Sequence, residues 1–121
     1  MKVKVSEATG TVLDWMVWSI TFKDATKNVE ELAAALDPNY SPTTDWAQGG
    51  PIIERAGIAV TRTPAEWCAY APCGMIDIGH YGVVFKWGHK QAGPTPLIAA
   101  MRCYCASVLG DDVEVPGELL P

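Results

Sequence analysis

The segment GPTPLIAAMRCYCASVLG, residues 93–110, limits the fold more than any other stretch. Thr95 stands where a helix N-cap belongs, Pro96 at the first helical position, where its missing N–H costs nothing, and Gly110 just past the end. Between them Leu97, Met101, Tyr104, Cys105 and Val108 recur at helical spacing, and Ile98, Ala99 and Ala100 leave the remaining faces nearly apolar. A helix that is apolar all round has to be buried, in a core or against another chain. Arg102 is its one charge, and a buried arginine needs a partner. A carboxylate such as Asp14 or Asp45 could fill that role, and so could an anionic ligand.

The other elements have to wrap this helix. Lys2–Val5 alternates as a short half-buried strand does. Ser6 is placed to cap a helix carrying Leu13, Met16, Val17 and Ile20, with Trp15 and Trp18 on its flank and Gly10 at a close packing contact. Asn28 can cap a short helix, Val29–Leu36, which Asp37-Pro38 stops. Strands are expected at Ile58–Thr61, Glu66–Tyr70 and Val83–Trp87, with residues 71–82 a glycine-rich loop and Gly88–Gly93 a polar turn. The expected fold is a single α+β domain over residues 1–121. In it a small antiparallel sheet packs on three to four helices, with the long C-terminal helix central.

Between these elements lies YSPTTDWAQGGPIIERAG, residues 40–57, dense in special-purpose residues. Asp45 followed by Gln48 has the capping-box pattern, yet Gly49-Gly50-Pro51 should interrupt that helix after about one turn. Pro51 would open a second short helix that Gly57 closes. Two helix starts side by side offer unpaired N–H groups and partial positive charge. Gly49 and Gly50 admit a ligand close to the backbone, Trp46 and Tyr40 offer flat faces for a base or sugar, and Arg55 could pair with a phosphate. Thr95 and Arg102, at the second capped helix start, complete this candidate ligand site. The plainer reading is a junction folded over the core, with Trp46 as a plug. No standard nucleotide fingerprint is present, neither G-x-x-x-x-G-K-[ST] nor G-x-G-x-x-G.

Other chemistries find less support. Cys68-x4-Cys73 and Cys103-x-Cys105 lack zinc-knuckle spacing, and two residues two apart on one helix face different ways, so no metal or cofactor is expected. His80 beside Asp77 is a conceivable general base, and His89 a weaker one, with no hydrolase or zincin motif around either. The net charge of −5 and the scattered basic residues argue against duplex nucleic acid and against a polybasic membrane contact. No N-terminal apolar segment suggests secretion, so the cysteines should be reduced. Hydrophobic residues make up 49% of the chain and five are tryptophans, more large apolar surface than so small a body readily hides. A homo-oligomer is therefore expected.

YSPTTDWAQGGPIIER, GPTPLIAAMRCYCASVLGDDVEVP and the start VKVSEATGTVLDWMV resemble the signature segments of the NinX-like proteins of lambdoid phages and prophages. The resemblance covers most of the chain and is weakest over 21–39 and 62–92. It implies an accessory protein made in the cytoplasm of an infected bacterium and dispensable for the virion, and it brings no catalytic residues with it. Two functions from different classes follow. One is a non-enzymatic binder that sequesters a nucleotide-like anion and so blunts a host defence signal. The other is an interaction module that inhibits or adapts a host protein through an exposed tryptophan-rich surface. A nucleotide-processing enzyme is a weaker third.

Overall fold

The computed structural model describes residues 1–21 and 37–119. The helix expected at Val29–Leu36 lies outside the described residues. Within them the chain runs β1 (Lys2–Lys4), α1 (Gly10–Thr21), α2 (Trp46–Ala56), β2 (Ala59–Arg62), β3 (Trp67–Asp77), β4 (Val83–Gly93), α3 (Pro96–Leu109) and β5 (Asp112–Glu114). Single 3-10 turns sit at Val5–Glu7, Gly79–Tyr81 and Gly117–Leu119. The class is α+β, as expected. Strands β2, β3 and β4 form one antiparallel sheet in that order, and β1 and β5 pair antiparallel as a separate two-stranded ribbon.

Helix α3 occupies the centre, packing on the three-stranded sheet while touching α1 and α2. Its caps are those the sequence encodes. The Thr95 hydroxyl accepts from Ile98 N at 3.1 Å, and Gly110 N donates to the Ala106 carbonyl at 3.1 Å. Met101, Cys103 and Cys105 are fully buried and share one hydrophobic core with Leu13 and Met16 of α1. Helix α1 is enclosed almost all round: residues 12 to 17 are buried without a break.

Three local expectations need correction. Ser6 caps no helix, because it lies in a 3-10 turn and α1 starts at Gly10. Gly10 makes no close packing contact, since no atom lies within 4 Å of where a Cβ would stand. Its φ of +55° shows that it turns the chain into the helix. Helix α2 runs unbroken through Gly49-Gly50-Pro51 instead of splitting in two. The proline removes one ladder hydrogen bond, a loss that the burial of Ile52 and the close seating of Gly49 help to offset. Its end is as expected. Gly57 at φ +69° donates to the Glu54 carbonyl and Ile58 N to the Ile53 carbonyl, a Schellman closure.

The sheet departs most from expectation. Residues 71–77 are strand, not loop, and 88–93 are strand, not turn, so β3 and β4 form a long hairpin. Two bulges absorb the irregular residues. Between the pairs Ala69↔Gln91 and Ala71↔Gly88 the fourth strand carries one extra residue, near His89, whose φ is +54°. Between Pro72↔Trp87 and Gly74↔Lys86 the extra residue is Cys73 in β3. A 3-10 turn closes the hairpin, with Asp77 Oδ1 accepting from Gly79 N at 2.8 Å.

Candidate functional site

The passage that drew attention in the sequence forms a well-tied corner. Asp45 is the N-cap of α2, its Oδ1 accepting from Ala47 N at 2.9 Å. Gln48 ties the corner together. Its Nε2 donates to Asp45 Oδ2 and to the Asn39 carbonyl, each at 3.0 Å, while its Oε1 accepts from Ser41 N at 2.8 Å. Gly49 N donates to the Asp45 carbonyl at 2.9 Å, and Gly50 lies one residue deeper in the same ladder. The hollow of free amides expected beside these glycines is therefore absent. Gly49 serves packing instead, since a Cβ there would stand 2.4 Å from the Pro42 carbonyl oxygen and 2.6 Å from Leu97 Cδ2. Trp46 is 56% exposed, so it is not a plug either.

Arg102 is buried and holds backbone carbonyls, with no carboxylate paired to it among the described residues. Its Nε donates to the Ala8 carbonyl at 2.9 Å and its Nη1 to the Ala92 carbonyl at 2.7 Å. Burial lowers its pKa and the field of Glu66 raises it, and a guanidinium stays charged in either case. It ties α3 to the segment before α1 and to the end of β4.

Cavities open instead on either side of Thr43-Thr44. The smaller, about 240 Å³, is lined by these threonines with Trp46 and Thr95–Ile98, so the structure brings Trp46 and Thr95 together. The larger, about 430 Å³, lies between the start of α1 and residues 37–44. Gly10, Thr11, Asp14, Tyr40 and the two threonines line it. Arg102 is on neither wall.

Asp14 gives the larger cavity its character. It is 7% exposed and sits in an apolar stretch of α1, and its Oδ1 accepts one hydrogen bond, from Thr43 N at 3.0 Å. Among the described residues it makes no ion pair. Burial is the main cause raising its pKa, against which Thr43 pulls downward. The buried Thr43 hydroxyl lies close to the carboxyl yet makes no hydrogen bond of proper geometry. Tyr40 stands edge-on to Trp18, ring centroids 5.3 Å apart. Its hydroxyl pKa is raised first by burial, then by Tyr104 and Asp14, and is lowered by Arg55. Tyr40 therefore lies within the field of a carboxylate from α1, a guanidinium from α2 and a second phenol from α3.

Of the residues singled out in the sequence, Tyr40 lines the large cavity and Arg55 acts on it through space, whereas Trp46 and Thr95 line the small one. Asp45, Gly49 and Arg102 are occupied in holding the fold, and Gly50 lies within helix α2. Asp14 and Thr43 escaped notice as site residues. The signal for Asp14 is in VLDWMVW, residues 12–18, where a lone acid interrupts an apolar helix as Arg102 does in α3. His80 is exposed at the hairpin tip, and Asp77 binds Gly79 N rather than orienting it. Cys73 is exposed and the other three cysteines are buried.

The family model for bacteriophage P22 NinX matches residues 4–108, and the chain belongs to this NinX family. No curated protein matches it. Among the described residues no helix is long and apolar enough to cross a membrane.

Proposed function

We propose that this NinX-family chain is a non-enzymatic binder of a nucleotide-like small molecule, held in the cavity between the start of α1 and residues 37–44. The observation that carries the reading is the Asp14 carboxyl, buried with a single hydrogen bond in the wall of a cavity of about 430 Å³. A carboxyl so placed lowers stability, because burial disfavours its charge and no cation among the described residues pairs with it. A ligand that donates hydrogen bonds removes that penalty. The edge of a nucleobase presents paired N–H donors that match two carboxylate oxygens. Arg55, whose field reaches Tyr40, attracts a negatively charged far end. The Trp46 cavity next door supplies an apolar face for a ring.

The polar groups on the wall are held in local turns, Asp37 Oδ1 accepting from Asn39 N and the Ser41 hydroxyl donating to the Asn39 carbonyl, an arrangement suited to capture rather than turnover. In the cytoplasm of an infected bacterium, a protein of this kind withdraws its ligand from host signalling. Calorimetry with nucleosides, nucleotides and cyclic nucleotides tests the reading. Binding by the wild type that is lost in Asp14→Ala supports it, and no heat from any of them ends it. A module docking on a host protein is the second reading, favoured by the exposed Trp46. A stoichiometric host protein captured from lysate would support that one, and an ultraviolet-absorbing species released by heating supports the first.

A further inference from the structure

Two polar groups on the wall of the Asp14 cavity are left unmatched by the fold, and their chemistry says which base can match them. Asp14 is 7% exposed and accepts a single hydrogen bond among the described residues, from Thr43 N to Oδ1 at 3.0 Å. An ionised carboxylate offers about four acceptor positions on its two oxygens. Oδ2 is therefore without a donor among the described residues, and Oδ1 has room for a second. The Thr43 side chain is 2% exposed, and its hydroxyl has no hydrogen-bond partner although it lies close to the carboxyl. Both residues line the same cavity of about 430 Å³, a size usual for small-molecule sites. The wall thus presents a hydroxyl donor beside two carboxylate acceptors.

That pattern has few complements. On its Watson–Crick edge guanine carries O6, N1–H and N2–H in sequence, one acceptor followed by two neighbouring donors. The paired donors meet the two oxygens of a carboxylate as an arginine fork does, and a hydroxyl beside them can donate to O6. Adenine and cytosine set a ring-nitrogen acceptor beside their amino group, and uracil flanks its one N–H with two carbonyls. Each would turn a lone pair toward a carboxylate oxygen. Hypoxanthine keeps O6 and N1–H but lacks the second donor. An alkylguanidinium has the same paired donors, yet it would bring a second cation into the field of Arg55, which already reaches Tyr40 on this wall.

We propose that the cavity selects guanine, the Asp14 carboxylate accepting from N1–H and N2–H and the Thr43 hydroxyl donating to O6. The assignment rests on the nucleotide-binder reading above and narrows it to one base. A wrong base leaves buried polar groups unpaired, which is what makes a site of this kind discriminate.

Calorimetry of the full chain with the 5′-monophosphates of guanosine, inosine, xanthosine, adenosine, cytidine and uridine reads the selection. Guanosine monophosphate is expected to bind at least about tenfold more tightly than each of the others, the discrimination of one good bidentate pair. Asp14→Asn exchanges one acceptor for a donor, and xanthine carries an acceptor, O2, where guanine carries its amino group. In that variant the preference should invert to xanthosine monophosphate, an inversion that loss of structure cannot produce. Should the variant fail to fold, the wild-type ranking alone decides. If the inosine, adenosine, cytidine or uridine compound binds the wild type as tightly as guanosine monophosphate, or if Asp14→Asn still prefers guanosine, the guanine assignment is overturned while the binder reading stands. Heat from none of the nucleotides overturns both.

Discussion

Gly49 and Gly50 are neighbours in sequence and in helix α2, yet replacing each by alanine should have very different effects. At Gly49 the new methyl would stand 2.4 Å from the Pro42 carbonyl oxygen and 2.6 Å from Leu97 Cδ2. Both distances are below 3.0 Å, which real Cβ atoms essentially never show, and the first contact is backbone that cannot rotate away. Either α2 lifts off the 37–44 segment or α3 yields. Overpacking of this kind costs about 3 kcal/mol at the upper end of the usual range. Against it stands a gain of about 1 kcal/mol in helix propensity. The net loss of about 2 kcal/mol lowers the melting temperature of a chain this size by about 8 °C. At Gly50 the nearest atom to the new methyl is Trp46 Cε3 at 3.9 Å, an ordinary contact. There the propensity gain of about 1 kcal/mol is opposed only by Pro51, whose ring disfavours a helical residue with a Cβ before it, so Gly50→Ala should be near neutral and melt well above Gly49→Ala. Urea unfolding followed by circular dichroism measures both, and an unchanged m-value confirms that the states compared are the same. If the two variants shift together, or Gly49→Ala is neutral, the helix does not sit against Pro42 and Leu97 as described.

Three further outcomes follow from the buried polar groups. The folded-state pKa of Asp14 is raised above its unfolded value by burial, so its protonated form favours the fold as pH falls below that raised value, and the benefit is lost as pH rises through it. Asp14→Asn keeps an acceptor for Thr43 N, removes this slope from the pH–stability curve and melts higher than wild type at pH 7; a lower melting point there contradicts the account. Arg102→Lys cannot serve the Ala8 and Ala92 carbonyls from one ammonium, and losing one charge-assisted bond should cost about 1.5–3 kcal/mol in urea unfolding, whereas an unchanged midpoint refutes the tie. Burial pushes the Cys103 thiol up to about 12 and the Cys105 thiol further up, so in a disulfide-exchange assay Cys73 reacts quickly and the buried thiols wait for denaturant. Two or more fast thiols in the native protein would contradict that burial.

Legibility varied with the kind of physics involved. Helix α3 was readable to the residue because its signals are local: a capping threonine, a proline at the first position and a terminal glycine. The closure of α2 at Gly57 was local too. Its continuity through Gly49-Gly50-Pro51 was not, since the packing of Gly49 on Pro42 and Leu97 depends on segments 7 and 48 residues away. The hairpin was underestimated for the same reason. Pro72, Gly74 and Gly88 read as loop residues, while the pairing that makes them strand comes from the opposite strand and two bulges. At the site, Tyr40, Trp46 and Thr95 were visible as surface chemistry. Asp14 was not, because what makes it unusual is burial beside Thr43, 29 residues away. Arg102 stands out by composition, but its carbonyl partners at Ala8 and Ala92 do not, since backbone acceptors leave no mark in a sequence.

The proposed ligand occupies the cavity of Asp14. Nuclear magnetic resonance of the uniformly ¹⁵N-labelled chain, titrated with nucleosides and nucleotides, observes that cavity directly. The largest amide shifts are expected at Thr11, Asp14, Tyr40, Thr43 and Thr44, and they should vanish in Asp14→Asn. Shifts confined to other parts of the chain, or shifts that persist unchanged in the variant, would contradict the central claim.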